Sequence, residues 1–186
     1  MFGKDSEIRD IPDSDSNDFF SEVELIYATS HSLLYRMRKD GKYFIVKQSA
    51  IPEEKGRKIL RREYELSIGI DHPNIVDVYE YKRGEDGKDK IIMEYVEGRN
   101  LNDFLAERPS LKSRKRIFSE LLDAIEYLHK KGVVHNDLKP ENILISRNGN
   151  RLKLIDLGLA NDDAHFAVKS PGFTKGFSEY RRKARN

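Results

Sequence analysis

Apolar and polar residues alternate in three short segments near the start of the chain. Residues 22–28, 33–38 and 42–48 are rich in Leu, Ile, Val, Tyr and Phe, and a Lys-Asp-Gly turn at residues 39–41 separates the last two. Short apolar runs joined by a glycine-containing turn are typical of neighbouring antiparallel strands. The pattern therefore predicts a three-stranded antiparallel meander.

The spacing changes in residues 52–70, where apolar side chains recur at intervals of three and four among Lys, Arg and Glu. This spacing predicts an amphipathic helix, which should end near Pro73. Strand composition returns at residues 75–82 and 90–95, on either side of a polar turn at residues 84–87. The first half is thus predicted as three strands, a helix and two further strands.

The second half is predicted to be mainly helical. Residues 101–107 predict a short helix, and residues 111–131 predict a longer one with a broad apolar face. Strands are predicted at residues 143–146 and 151–155, separated by a hairpin turn at residues 148–150. The predicted apolar face of the long helix comprises Ile117, Leu121, Leu122, Ile125, Tyr127 and Leu128.

Composition limits the class of protein. The 186 residues are 35% charged, with a mean hydropathy of -0.71, and no stretch approaches the roughly 18 apolar residues of a membrane span. We therefore expect a soluble, cytoplasmic protein that does not bind membranes. The net charge of +2 argues against whole-molecule attraction to nucleic acid. The chain has no cysteine, which excludes disulfides, a thiolate nucleophile and cysteine-ligated zinc.

The first 20 residues differ from the rest in composition. They are predicted to form a disordered tail, because they hold little apolar surface to bury, and a partner-binding arm is the alternative. Six acidic side chains are interspersed there with Ser, Asn and Pro: Asp5, Glu7, Asp10, Asp13, Asp15 and Asp18.

The densest group of chemically useful residues lies in HNDLKPEN, residues 135–142, followed 14 residues after Asn142 by Asp156 of IDLG. Two further segments, FIVKQ and IIMEYVEGRNL, lie upstream. In this order the segments resemble the eukaryotic-type protein kinase family over residues 22–177. The resemblance implies an ATP- and Mg²⁺-dependent enzyme that phosphorylates Ser or Thr hydroxyls of a protein substrate.

The resemblance also implies an α+β, two-lobed fold. Residues 21–97 would form an N-lobe with a five-stranded antiparallel sheet and one helix, after the tail of residues 1–20. Residues 98–186 would form a shortened, mainly helical C-lobe, because only 44 residues follow Asn142. The apolar face of the long helix would then lack its usual cover. Three explanations fit: a native minimal kinase, a domain completed by a protein partner or a second copy, or a fragment of a longer protein.

Roles for the catalytic residues follow from the resemblance. Asp137 would orient or accept the proton of the substrate hydroxyl, and Lys139 would lie beside the transferring phosphate as a point charge. Asn142 and Asp156 would supply oxygen ligands to Mg²⁺, a hard ion that prefers such ligands. Phosphoryl transfer needs this positioning and charge neutralisation more than covalent work by the protein.

Nucleotide-binding residues are implied in the first half. Lys47 would contact the α and β phosphates and pair with Glu63, with Glu65 as the alternative partner. The hinge would present the backbone groups of Glu94 and Val96 to adenine. The remaining implied contacts are a gatekeeper at Met93, apolar walls at Leu34, Ile45 and Leu144, and an approach of Asn100 to the ribose.

The chain departs from the family pattern at several positions. Tyr27, Thr29 and Ser32 stand where the phosphate-binding loop has glycines, which should weaken or reshape phosphate contact. Asn136 replaces an arginine that commonly pairs with a phosphorylated activation loop. Leu157 replaces Phe in the metal motif with little change of volume, and the A-P-E sequence is missing after residue 170.

Two other functions fit these departures. A pseudokinase or scaffold would use the fold to hold a partner, and the missing glycines favour it. A phosphotransferase acting on a small molecule is the third hypothesis, although Lys139, two residues after the aspartate, is typical of protein kinases.

Overall fold

The first half of the molecule is a five-stranded antiparallel sheet with one helix. The computed structural model describes residues 21–51, 53–84, 87–157 and 161–162. Within the first half the helix α1 spans Glu53–Ser67, and the strand order in the sheet is β1-β2-β3-β5-β4. The strands are β1 (Ser21–Ala28), β2 (Ser32–Lys39), β3 (Lys42–Ser49), β4 (Val78–Arg83) and β5 (Asp89–Glu94).

The predicted meander is confirmed, with its turn where the sequence indicates it. Strands β2 and β3 pair without interruption from Ser32 opposite Ser49 to Lys39 opposite Lys42. The two residues between them, Asp40 and Gly41, have φ of 49° and 77°. Two positive φ values are the requirement of a type I′ turn, whose twist matches that of paired strands. The Asp-Gly pair therefore fixes the register of this hairpin.

The fourth strand begins later than the sequence predicts. Apolar composition predicted a strand from residue 75, whereas β4 begins at Val78. The preceding segment pairs with the other half of the molecule: Val76 N donates to the Leu154 carbonyl at 3.0 Å, and Leu154 N donates to the Asn74 carbonyl at 2.8 Å. That contact buries the apolar side chains of this segment. The segment therefore has the composition of a strand although it lies outside the first sheet.

The second half combines two helices with short strands. A small sheet has the order β6-β8-β9, and β7 pairs with β10. The predicted helices are confirmed within one residue at their ends, and Asn100 and Ser110 cap them through side-chain oxygens. The elements are β6 (Gly98–Asn100), α2 (Leu101–Ala106), α3 (Leu111–Lys130), β7 (Val133–Val134), a 3₁₀ turn (Pro140–Asn142), β8 (Ile143–Ser146), β9 (Leu152–Leu154) and β10 (Asn161–Asp162).

Strand β6 was not predicted, because three residues of the composition Gly-Arg-Asn carry no apolar alternation. The structure shows why a glycine begins it. A Cβ atom on Gly98 would collide with the carbonyl oxygen of Ile145 on the neighbouring strand β8. Such close backbone approach is one of the uses of glycine inside a strand.

The long helix α3 buries part of its predicted face. Ile117, Ala124 and Leu128 are each at most 2% exposed and belong to the core that also holds β8 and β9. Leu122, which the sequence placed on that face, is 65% exposed instead, because it lies on the side of the helix away from the small sheet. It joins Leu111 and Phe118 as an exposed apolar group. None of the described helices is long and apolar enough to cross a membrane.

A buried carboxylate joins α3 to β9. Glu120 is 7% exposed, accepts a hydrogen bond from Leu152 N at 2.8 Å and pairs with the Arg151 guanidinium at 2.8 Å. Asn74, also buried, donates to the same carboxylate at 3.4 Å and to the Leu152 carbonyl at 3.0 Å. One acidic side chain thus accepts hydrogen bonds from β9 and from the segment before β4.

Glu120→Ala should lower the free energy of unfolding by about 2 kcal/mol, because it leaves a buried backbone N–H without an acceptor. Urea unfolding followed by circular dichroism measures the change. Glu126→Ala is the matched control on the same helix, since Glu126 is exposed and contacts only Lys130 among the described residues, and it should have little effect. Equal effects of the two substitutions would contradict the role assigned to Glu120.

Candidate active site

A buried lysine lies between two carboxylates from distant parts of the chain. The Lys47 Nζ on β3 is 2.6 Å from Glu63 Oε1 on α1 and 2.9 Å from Asp156 Oδ1, two residues after β9. The side chains of Lys47 and Glu63 are 9% and 5% exposed, whereas that of Asp156 is 40% exposed. Asp156 is therefore the member of the group that solvent or a ligand can reach.

Burial and ion pairing have opposite effects on the pKa of Lys47. Burial disfavours the charge of Lys47, but the nearby carboxylates of Glu63 and Asp156 outweigh it and raise the pKa of Lys47 above its ordinary value. Burial also raises the pKa of Glu63, and Lys47 only partly offsets this rise. The lysine thus stays charged, and it needs the carboxylates to remain so.

The packing of α1 decides which glutamate reaches Lys47. Leu60 is 2% exposed against the sheet, and Gly56 lies so close to Ser49 that a Cβ there would collide with it. Glu63 lies on the same face of the helix and points inward. Glu65 is exposed and pairs with Arg61 at 3.0 Å. The structure therefore brings Glu63, rather than the alternative Glu65, to the lysine.

The loop at residues 135–142 is closed around one carboxylate. Asp137 Oδ2 accepts from Lys139 Nζ at 2.6 Å and from Asn142 Nδ2 at 3.0 Å, and the same nitrogen donates to the Asp137 carbonyl at 2.9 Å. The hydrogen bond to Asp137 raises the pKa of Lys139, although burial opposes this rise. The structure thus brings Asp137, Lys139 and Asn142 together.

His135 fastens this loop to the strand that leads to Asp156. It is 3% exposed, its Nδ1 accepts the Asp137 N–H at 3.3 Å, and its Nε2 lies 3.2 Å from the Ile155 carbonyl. These contacts require a proton on Nε2 and none on Nδ1, which is the neutral ring. Burial lowers the pKa of His135, although contacts with Ile155 and the nearby aspartates oppose the shift.

Two residues of the site have left-handed backbone. Asn136 has φ of 61° and Asp156 has φ of 65°. Asn and Asp tolerate this region better than other non-glycine residues, and such conformations cluster at functional sites. The left-handed geometry gives a local reason for asparagine at position 136, where the family pattern has arginine.

The connection between the two halves is anchored by Glu94. Its carboxylate accepts from the Asp77 N–H at 3.1 Å and from Lys153 Nζ at 2.8 Å, and its own N–H donates to the Asp77 carbonyl at 2.8 Å. Only the carbonyl of the Glu94 backbone therefore remains for adenine. Val96, the other proposed hinge contact, is partly buried.

The predicted apolar walls lie in different surroundings. Ile45 and Met93 are opposite each other on β3 and β5 and belong to one buried cluster, against which Leu34 packs. Leu144 is partly buried on β8, opposite Lys153. Asn100 caps α2 by accepting from the Asp103 N–H at 3.0 Å, and its approach to a ribose stays a prediction.

The turn between β1 and β2 uses its own amides. The Thr29 side-chain oxygen accepts from His31 N at 3.2 Å and from Ser32 N at 3.0 Å. Thr29 N donates to the Ser32 carbonyl at 2.9 Å. A threonine where the family pattern has glycine thus occupies amides that a glycine loop would offer to phosphate. Tyr27, the first of the three replaced positions, is 58% exposed.

Asn142 and Asp156 fit a magnesium ion by their chemistry. The side-chain hydrogen bonds of Asn142 to Asp137 use its amide nitrogen, which leaves its oxygen as a ligand for a metal. The carboxylate of Asp156 lies in the same region, because Ile155 N donates to the Asn142 carbonyl at 2.9 Å. Within the described part of the chain, no three His, Asp or Glu side chains form a metal cluster, so water and phosphate oxygens would complete the coordination.

Sequence reasoning missed two residues of the site. Lys153 holds Glu94, and His135, although part of the motif, was given no task. The signal for Lys153 is weak, since a lysine between two leucines in a short strand also fits an exposed edge. Gly158 of IDLG and the segment from residue 163 onward, including the sequence SPGF, lie outside the described residues.

Comparisons with known proteins agree with the geometry. Residues 27–177 match the family described as Protein kinase domain. The chain is 40% identical over 118 residues to human NUAK family SNF1-like kinase 1, covering 62% of this chain and 18% of that protein. It is 37% identical over 145 residues to CBL-interacting serine/threonine-protein kinase 21 of Arabidopsis thaliana, covering 76% and 32% respectively. The chain thus spans less than a third of the length of these relatives.

The neutral state of His135 predicts a pH dependence of stability. Its pKa is below 6.5 when folded and about 6.5 when unfolded, so the unfolded chain binds the proton more tightly. The free energy of unfolding should therefore fall as the pH drops below about 6.5. Urea titrations at several pH values measure this slope.

His135→Gln should remove that part of the slope. His129→Gln at the exposed end of α3 is the control and should retain it. A slope that is the same in wild type and His135→Gln would contradict the assignment of a buried neutral ring.

Proposed function

This chain belongs to the protein kinase domain family, and on that premise we propose that it transfers the γ-phosphate of ATP to a Ser or Thr hydroxyl of a protein. The observation that carries this proposal is the buried Lys47–Glu63 pair and its contact with Asp156. The relatives include a serine/threonine-protein kinase, which favours the Ser/Thr class.

The charges around Lys47 and Asp156 suit a nucleoside triphosphate. Lys47 carries a positive charge that Glu63 holds in place, which fits a lysine that contacts the α and β phosphates. Asn142 and Asp156 would hold Mg²⁺, which neutralises phosphate charge when bound. Leu34, Ile45, Met93 and Leu144 are proposed to line the adenine site with the backbone of Glu94 and Val96.

The catalytic loop is suited to positioning a hydroxyl. We assign Asp137 the task of orienting the substrate hydroxyl and accepting its proton, because its carboxylate is fixed by Asn142. Lys139 now pairs with Asp137 at 2.6 Å. Its side chain is only partly buried, which would let it turn toward a phosphate, where its charge would stabilise the transferring group.

We propose that activity does not require phosphorylation of an activation loop. Asn136 offers no cation for a phosphate at the position where the family pattern has arginine. The Lys47–Glu63 pair is formed without such a switch, which supports constitutive activity or control by a partner.

Assignments of organisation and location belong to the same proposal. We take residues 21–97 and 98–186 as the two lobes, with residues 1–20 before them, and the cytoplasm as the site of action. A protein partner or a second copy would cover the exposed side of α3, where Leu111 and Leu122 are more than half exposed. The protein substrate would bind beside Asp137.

Asp137→Asn should lower phosphate transfer from radiolabelled ATP to a generic protein substrate by about 100-fold or more, because it removes the proton acceptor. Asp156→Asn should lower it as well, by weakening the metal site. Asp123→Asn on the exposed side of α3 is the control and should keep wild-type activity. Transfer by Asp137→Asn at the wild-type rate would refute the assigned role.

A thermal-shift titration tests nucleotide binding apart from chemistry. ATP with Mg²⁺ should raise the unfolding midpoint of the wild-type chain, since a ligand that binds only the folded state stabilises it. Lys47→Met should lose most of this rise, whereas Lys112→Met on α3 should keep it. No rise in the wild type at millimolar nucleotide would count against the enzyme and favour the scaffold.

A further inference from the structure

An arginine lies between two tyrosine rings where the first sheet meets the second half of the molecule. The guanidinium carbon of Arg36 on β2 is 5.0 Å from the centre of the Tyr43 ring and 5.7 Å from the centre of the Tyr95 ring. The two ring centres are 5.6 Å apart. Arg36 Nη1 also lies 3.5 Å from the Tyr95 hydroxyl, which is long for a hydrogen bond. The attraction of a cation to the ring face is therefore the main contact between Arg36 and Tyr95.

Strand β1 orients the cation of this group, which we call the Arg36 stack and which consists of Arg36, Tyr43 and Tyr95. Glu24 Oε2 is 2.6 Å from Arg36 Nη2, and the two side chains are 57% and 36% exposed. An exposed ion pair of this kind adds little stability by itself. A planar guanidinium can, however, bind a carboxylate at its edge and a ring on its face at the same time. The carboxylate thus keeps the plane of Arg36 available to the rings.

Tyr95 connects the Arg36 stack to the proposed nucleotide site. It follows the last residue of β5, and residues 95–97 belong to no helix or strand. Its ring packs against the buried cluster that contains Ile45 and Met93, two of the proposed adenine walls. The next residue, Val96, is a proposed backbone contact of adenine. The side chain of Tyr95 is therefore a point at which the sheet can fix this backbone.

The two ends of the connection are held by other contacts. Glu94 is anchored at the first end, as described above, and the Glu97 carbonyl accepts from Arg147 N at 2.8 Å at the second end. Between these ends lie Tyr95 and Val96. The Arg36 stack acts in the middle of the connection, where the proposed contact with adenine is made.

We propose that Arg36 is a positioning residue of the nucleotide site, which acts through Tyr95. By stacking on the ring it fixes the backbone of Tyr95 and Val96 before the nucleotide arrives, so that less conformational freedom is lost on binding. Arg36 should therefore change the affinity for ATP and leave the rate of phosphate transfer unchanged. The effect on ATP rests on the proposed function, whereas the effect on the backbone does not.

Relaxation of ¹⁵N nuclei in the nucleotide-free chain tests the positioning. The amide order parameters of Tyr95 and Val96 should be about 0.85 in the wild type and should fall toward about 0.6 in Arg36→Met. Methionine keeps an unbranched apolar stem, so the substitution removes mainly the planar charge. Unchanged order parameters in Arg36→Met would overturn the proposal, whatever the chain does with ATP.

Arg38→Met is the matched control on the same strand. Arg38 lies over the Tyr43 ring at 5.6 Å and pairs with Glu22 of β1 at 2.8 Å. It thus resembles Arg36 in its contacts with β1 and β3. Arg38→Met should keep the order parameters of Tyr95 and Val96, and an equal fall in both variants would show a general loosening of the sheet and contradict the proposal.

Calorimetric titration with ATP and Mg²⁺ measures the consequence for binding. Arg36→Met should raise the Kd about three- to fivefold, which is the size of an exposed contact between a cation and a ring. The KM for ATP should rise by the same factor with kcat unchanged, and Arg38→Met should keep the wild-type values. A wild-type Kd in Arg36→Met, or a fall in kcat without a change in Kd, would contradict the positioning role.

A double-mutant cycle shows whether the effect passes through Tyr95. Tyr95→Leu should raise the Kd for ATP as Arg36→Met does, and the two substitutions together should raise it no further. Tyr95→Phe keeps the ring face and should keep the wild-type Kd. Arg36→Lys keeps the charge without the plane and should give an intermediate Kd, which serves as the test if Arg36→Met is unstable. An effect of Arg36→Met that persists in the Tyr95→Leu background would overturn the proposal.

The two kinds of measurement separate this proposal from the proposed function. A wild-type chain that binds no ATP, with order parameters that fall in Arg36→Met, would refute the proposed function and leave the hold of Arg36 on this backbone intact. A wild-type chain that binds ATP, with the same order parameters and Kd in Arg36→Met, would refute the role of Arg36 and leave the proposed function intact.

Discussion

The site depends on one buried cation with two carboxylates of different exposure. Lys47 cannot keep its charge in a buried position without Glu63 and Asp156, and these come from α1 and from the end of the small sheet. Strand β3, helix α1 and the end of the small sheet must therefore all be in place before carboxylates replace water around the charge of Lys47. Because breaking a buried pair costs more than forming it contributes, the pair specifies one arrangement of helix and sheet more than it adds to stability.

The loop at residues 135–142 keeps its buried carboxylate satisfied by hydrogen bonds. Asp137 is 7% exposed, and its carboxylate is satisfied by the loop's own lysine and asparagine. His135 and the left-handed residues Asn136 and Asp156 bring the loop and the end of strand β9 to one place. The local strain at these two residues is held by the surrounding contacts, which is the usual condition for strained backbone at a site.

Much of the fold follows from the sequence because its signals are local. The Asp40-Gly41 turn, the periodicity of α1 and α3 and the hairpin at residues 148–150 each depend on a few neighbouring residues. The predicted start of β4 was wrong, because Ile75 is buried by β9 and not by the first sheet. Strand β6 was missed, because its glycine is required by the close approach of a carbonyl of β8. Such causes lie far away in sequence and have no local pattern.

The site could be predicted as a set of residues but not as a network. Asp137, Asn142 and Asp156 are identified through the resemblance of their motifs to the kinase family, and Glu63 through the same resemblance. The Glu94–Lys153 pair and the occupation of the turn amides by Thr29 depend on geometry between segments. The predicted apolar face of α3 was wrong at Leu122, since periodicity gives the direction of a face but not the element that will cover it.

The anchoring of Glu94 has a mechanical consequence. Its carboxylate binds Lys153 of β9, and the segment before β4 is bonded to Leu154 of the same strand. The base of the β4–β5 edge is thereby attached to the second half of the molecule at several points. If the cleft opens and closes around a ligand, the opposite edge of the sheet, with β1, β2 and their turn, must travel farthest. The axis of that rotation would lie along the β4–β5 edge, so a ligand would enter from the side of Thr29.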